Sequence, residues 1–148
     1  MSRLIRKSHN VSILIYHFVC PAKYRKAVID EEVDRVIKEI CLEIADRYQV
    51  EFLEIGTDKD HVHFLVQSVP TYSPTKIITM IKSLTAREVF VRVPSAKKQL
   101  WGGEFWTDGY YVGTVGQHVT EDAIKNYVRK QGQEEQYKQL HEQQLKLL

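Results

Sequence analysis

Four side chains in this sequence have the types and spacing to do chemistry: His61, His63, Tyr127 and Gln131. Side chains alternate across a β-strand, so residues two apart share a face. On a strand, His61 and His63 would present two imidazoles side by side, able to hold one divalent metal, while Val62 points into the core. Two structural histidines in a hairpin would give the same short pattern. On a helix, residues at i and i+4 lie on one face, about 5–6 Å apart at Cβ. Tyr127 and Gln131 would then pair a phenol with an amide, a nucleophile with a third metal ligand. The competing reading puts Tyr127 in the core with Ile124 and Val128.

The elements that must position these groups can be read from periodicity. Residues 12–20 are β-branched and aromatic and end at Pro21, which predicts a central strand. Residues 30–48 carry Val33, Val36, Ile37, Ile40, Cys41, Ile44, Ala45 and Tyr48 at helical spacing. Asp30, Glu31 and Glu32 stand at the start of that helix, where its dipole favours acids. Residues 50–55 predict a strand, 56–60 a turn and 61–67 the strand that carries the histidines. Ser73-Pro74 predicts the cap and first turn of a second helix reaching about Arg92, with Ile77, Met80, Ile81, Leu84 and Val91 buried. Residues 105–115 predict a strand interrupted at Gly109. Thr120, Glu121 and Asp122 open a third helix that would carry Tyr127 and Gln131.

Strand–helix–strand twice over predicts an α+β fold. It is the ferredoxin-like split βαβ pattern: a central antiparallel sheet with helices mainly on one face, plus a C-terminal tyrosine-bearing helix. Residues 1–132 form one domain in this reading, and 133–148 a polar tail, helical or frayed.

Composition narrows the function classes. Cys20 and Cys41 have no CxxC spacing, so a disulfide scaffold is not expected and a reducing cytoplasm is the simpler home. No apolar run approaches the roughly 20 residues that cross a bilayer, and no signal-peptide core follows the basic N-terminus. Net charge is only +2, but it is segregated: residues 1–29 hold bases and no acid, 30–60 are mostly acidic, and 76–98 mostly basic. That distribution would suit one face for a polyanion and another for solvent, although solvated faces alone would also produce it.

Together these residues resemble the single-tyrosine transposases of the HUH superfamily (His, hydrophobic, His). The resemblance runs to about residue 132. It covers His17 with Pro21-Ala-Lys-Tyr-Arg25, Asp60-His-Val-His-Phe-Leu-Val66 and Ile81-Lys-Ser-Leu-Thr-Ala-Arg87. Trp101-Gly-Gly-Glu-Phe-Trp-Thr-Asp-Gly-Tyr-Tyr-Val-Gly-Thr-Val-Gly116 and Tyr127-Val-Arg-Lys-Gln131 complete it.

The resemblance implies a transposase that cuts and rejoins single-stranded DNA at insertion-sequence ends, after recognising a hairpin. Tyr127 would attack the scissile phosphate, giving a 5′-phosphotyrosine and a free 3′-hydroxyl. His61, His63 and Gln131 would bind one Mg²⁺ or Mn²⁺. A homodimer sharing its active sites is implied, with 110–115 as a plausible joining edge, and a prokaryotic, nucleoid-associated protein. Lys23, Arg25, Lys82 and Arg87 are the candidates for phosphate contacts, and Tyr24 and Phe105 for stacking on unpaired bases.

Tyr110 and Tyr111 are rival nucleophiles. As neighbours on a strand they face opposite sides, one toward the core and the other toward a dimer or DNA contact. A domesticated relative acting on chromosomal palindromes would share this sequence pattern. A non-catalytic single-strand-binding module would not need the histidine pair, and the RRM signature is absent. No GxxxxGK[ST] is present, consistent with a transesterification that conserves phosphodiester energy.

Overall fold

The computed structural model describes residues 5–6 and 11–115. Tyr127, Gln131, the third helix and the tail lie outside the described residues. Two short strands, β1 (Ile5–Arg6) and β2 (Val11–Ser12), pair with each other. The main sheet is built from β3 (Leu14–Pro21), β4 (Glu51–Thr57), β5 (His61–Ser68) and β6 (Tyr111–Thr114). Its order is β4-β5-β3-β6, and every neighbouring pair is antiparallel. The fold is therefore α+β with a four-stranded antiparallel sheet. β3 and β5 fill the centre because both are continuous apolar runs, buried nearly end to end.

Helix α1 (Glu31–Arg47) starts where Asp30 Oδ1 accepts from Val33 N at 2.9 Å. Of its predicted stripe, Val33, Val36, Ile37, Ile40, Cys41 and Ile44 are buried, whereas Ala45 is half-buried and Tyr48 is exposed at the C-cap. Helix α2 (Pro74–Arg92) starts where Ser73 Oγ accepts from Lys76 N at 3.0 Å, with Pro74 in its first turn. Both helices pack on one sheet face, against Tyr16, Phe18, Cys20, Val62, Phe64 and Val66. Cys20 and Cys41 are free and buried in this layer. Burial pushes the Cys20 thiol up to about 12, and Cys41 is raised for the same reason, so both act as small apolar residues. No helix among the described residues is long and apolar enough to cross a membrane.

Three expectations need correction. Val91 is 68% exposed, and the buried stripe of α2 runs instead through Ile77, Ile78, Ile81, Thr85 and Val89. A threonine fits there because its hydroxyl donates to Ile81 O at 2.6 Å and accepts from Trp106 Nε1 at 3.0 Å. Residues 105–115 are not one strand: only Tyr111–Thr114 joins the sheet, and Phe105 and Trp106 are core residues ahead of it. Lastly, part of the charge segregation is answered within the fold. Arg92 reaches Glu39 at 3.2 Å, Glu88 at 3.1 Å and Glu43 at 3.8 Å, so α1 acids partner an α2 base. An additional short helix, α3 (Pro94–Gln99), follows Pro94.

Candidate active site

β5 places Val62 and Phe64 on the helix-covered face and His61 and His63 on the opposite one, as strand alternation requires. The rings of His61 and His63 are 4.9 Å apart at their centroids and inclined at 80°. Each Nδ1 has a defined contact. Asp60 Oδ1 lies 2.6 Å from His61 Nδ1, and His17 Nε2 lies 3.1 Å from His63 Nδ1. A carboxylate accepts, so His61 donates through Nδ1–H, and in the neutral ring Nε2 then carries the lone pair.

Asp60 is itself fixed. The backbone N–H groups of Ala22 and Ile29 donate to Asp60 O and Lys59 O at 2.8 and 3.0 Å. Arg25 Nε donates to Asp60 Oδ2 at 3.4 Å. Burial works to raise the Asp60 pKa, but the hydrogen bonds and charges of His61 and Arg25 prevail and hold it below the usual carboxylate range. His63 is 1% exposed. Burial, reinforced by His17 and His61 nearby, pushes its pKa down to about 2. It is therefore neutral at any physiological pH, the protonation state in which imidazole can ligate a metal.

That depressed pKa predicts acid sensitivity. Below the unfolded histidine value of about 6.5, the unfolded chain binds a proton at position 63 and the folded chain does not. In metal-free protein, stability should fall with pH by up to about 1.4 kcal/mol per unit below that value. Urea unfolding between pH 7.5 and 5 would show it, and His63→Gln should flatten the slope. An unchanged slope in that variant would show that another group titrates.

Among the described residues no group of three His, Cys, Asp or Glu side chains could hold a metal ion. The described donors are the His61 and His63 imidazoles, which suit a cation completing its shell from other groups, water and phosphate oxygens. Tyr111 lies on the same face: it is in register with Val19, and Val19 with His63. Its ring meets that of His17 edge-on at 5.8 Å. Tyr110 turns to the core, edge-on to Phe18 at 6.3 Å. The two tyrosines therefore do part to opposite sides.

The six expected DNA contacts scatter. Phe105 is 1% exposed and packs against Phe90 and Trp106, so it cannot stack on a base, and that expectation is overturned. Lys82 donates to Thr107 O at 2.7 Å and Asp108 O at 3.2 Å, bracing the loop before β6. Arg87 is on α2, the layer behind the sheet, 3.7 Å from Glu88. Lys23 pairs with Glu104 at 2.7 Å. Arg25 stays beside His61 through Asp60, and both it and Tyr24 are in left-handed backbone, at φ 51° and 59°. For residues other than glycine such backbone costs on the order of 1–3 kcal/mol each. Tyr24 is 56% exposed.

Two residues of this site were not legible as site residues. Asp60 has a local signal, an acid next to a candidate ligand. His17 entered only as part of the family resemblance, with no signal for its role, because its partner lies 46 positions away and only the sheet register joins them.

This fold and this histidine pair define the class: the chain belongs to the IS200-like transposase family of the HUH superfamily, and residues 10–131 match the family profile described as "Transposase IS200 like". It is 33% identical over 122 residues to the ISDra2 transposase TnpA of Deinococcus radiodurans, covering 82% of this chain and 86% of that protein. It is 28% identical over 120 residues to the transposase for insertion sequence element IS200 of Salmonella typhimurium, covering 81% of this chain and 78% of that one. A crystal structure of a candidate transposase from Deinococcus radiodurans R1 superposes with a TM-score of 0.70 at 31% identity, over 84% of this chain and 95% of the other. The REP-associated tyrosine transposase bound to a REP hairpin shares the fold, with a TM-score of 0.57 at 9% identity, over 84% and 69%.

Proposed function

We propose that this transposase cuts and rejoins single-stranded DNA at the ends of its insertion sequence, after hairpin recognition, through a 5′-phosphotyrosine at Tyr127. The observation that carries the reading is the pair His61 and His63 on one sheet face, each with its Nδ1 engaged by a side chain behind it. Such support is how proteins aim imidazole ligands. His61, His63 and Gln131 would hold one Mg²⁺ or Mn²⁺. When bound, the cation would neutralise charge on the scissile phosphate.

The chemistry assigned to the chain's own residues is a transesterification. The Tyr127 oxygen forms a bond to phosphorus, the bond from phosphorus to the 3′-oxygen breaks, and the phenolic proton is lost. The departing strand leaves as a 3′-hydroxyl. Reversal by another 3′-hydroxyl rejoins DNA and returns the phenol, with no external energy source. The exposed ring of Tyr24, next in sequence to the Arg25 that binds Asp60, is the stacking candidate. Trp101, 83% exposed beside the left-handed Gly102 and Gly103, takes the place that Phe105 was expected to fill.

We further assign a homodimer with shared active sites, joined at β6. Among the described residues that strand is an edge of the sheet, and an edge strand pairs readily with another chain. A solution mass of a single chain at micromolar concentration would refute the dimer.

The decisive experiment incubates the protein with labelled single-stranded DNA from the ends of its own element, in Mg²⁺, Mn²⁺ or EDTA. A denaturation-resistant protein–DNA adduct is expected with either metal and not with EDTA. Equal adduct in EDTA would remove the metal from the reading, and no adduct with either metal would remove the covalent step.

A further inference from the structure

We infer that His17 is a positioning residue of the metal site: its Nε2 accepts a hydrogen bond from His63 Nδ1–H and so fixes the tautomer and ring plane in which His63 offers Nε2. This rests on the reading of His61 and His63 as ligands.

The contact is 3.1 Å, between two rings that are 5.3 Å apart at their centroids and inclined by only 21°. Each residue is 1% exposed. The sheet register creates the meeting. Val19 stands opposite His63 and His17 opposite Leu65, so His17 and His63 are diagonal neighbours on one face. Such neighbours are about 7–8 Å apart at the backbone, a gap that long or aromatic side chains bridge. The Tyr111 ring, edge-on to His17, supports it from the far side.

Direction decides the function. A neutral imidazole carries one N–H. If His17 donated to His63 Nδ1, the proton of His63 would sit on Nε2, and neither ring nitrogen could ligate. If His63 donates, the lone pair that can ligate is on its Nε2, and His17 holds its own proton on Nδ1. A bound cation is compatible only with the second arrangement. The neutral acceptor also has a physical reason. Asp60 can serve His61 because its side chain is 30% exposed and Arg25 lies beside it. A carboxylate at position 17 would be fully buried, where an unpaired charge is costly.

The test compares metal-free full-length wild type, His17→Phe and His17→Gln, titrated with Mn²⁺ and read by calorimetry and by EPR of free Mn²⁺. Ring-nitrogen NMR reports the tautomer of His63. The inference expects His63 in the Nδ1–H form in wild type, and Mn²⁺ affinity about 10–100-fold weaker in His17→Phe, the range for losing a group that hydrogen-bonds a metal ligand. The Gln variant places an amide oxygen near the former Nε2, so most of the affinity should return.

His63 carrying its proton on Nε2 in wild type would overturn the inference, even if the Phe variant failed to fold. Unchanged affinity in His17→Phe would also overturn it while leaving the metal reading intact. Equal weakening in both variants would reduce His17 to packing and overturn its role as acceptor. A wild type that binds no Mn²⁺ would instead refute the metal reading, and this inference with it.

Discussion

Tyr127→Phe should give no detectable covalent adduct, a loss of at least about 10⁴-fold judged by what removing a nucleophile costs in other covalent enzymes. The substitution keeps the ring and deletes only the attacking oxygen, so a helix that uses the ring for packing would be undisturbed. The informative partner is Tyr111→Phe. Tyr111 is the described tyrosine that shares a face with the histidines, two strands away through Val19, roughly 10 Å from His63 at the backbone. Its ring is turned onto His17. We expect Tyr111→Phe to retain most of the adduct, with losses confined to what a shift of His17 would cause. Gel analysis of both variants with labelled single-stranded DNA settles the assignment. Adduct in Tyr127→Phe and none in Tyr111→Phe would move the nucleophile to β6.

The parts of this molecule that sequence reading found are those whose signal is local. The stripe of α1 repeats within a few residues, and it is buried from Val33 to Ile44, failing only at its C-terminal end, where Ala45 is half-buried and Tyr48 exposed. Ser73-Pro74 marks a helix start by cap chemistry alone, and the α2 boundary at Arg92 follows from Pro94 two residues on. The histidine pair was visible because alternation on a strand is a property of neighbours. What failed was non-local. Thr85 is absent from the predicted stripe of α2, because its burial depends on Trp106, 21 positions away, which donates to its hydroxyl. Phe105 and Trp106 looked like strand, since apolar residues destined for a core resemble half of an alternating pattern. Phe105 as a base-stacking residue failed for the same reason. The charge blocks read as a polyanion surface are partly the two sides of one helix pair, which no linear count can show. The support of His63 by His17 depends on which strands neighbour one another, and periodicity does not encode that.

One strand should separate folding from chemistry. Phe64 is fully buried on the helix side of β5, packing edge-on with Phe52 at 6.2 Å and Trp106 at 6.4 Å. Phe64→Ala removes a large ring from a filled core, and such changes cost about 3–5 kcal/mol. Whole domains hold only about 5–15 kcal/mol, so this variant should unfold at much lower urea or fail to accumulate. His61 is on the other side of the same strand, 13% exposed in its side chain, with Asp60 at its Nδ1. His61→Ala opens no cavity among α1 and α2, so its unfolding midpoint should stay near that of wild type. Its Mn²⁺ affinity should drop by more than the roughly 10–100-fold lost when only a ligand's hydrogen-bond partner is removed, because a ligand itself is gone, and its adduct should fall in step. Urea unfolding, Mn²⁺ titration and adduct yield on the two variants check all three statements. If His61→Ala proved as unstable as Phe64→Ala, the imidazole would be a packing element and the two faces of β5 would not divide the work. If it kept wild-type Mn²⁺ affinity, the cation would have to be held elsewhere, and the alternation that places His61 beside His63 would have no catalytic meaning.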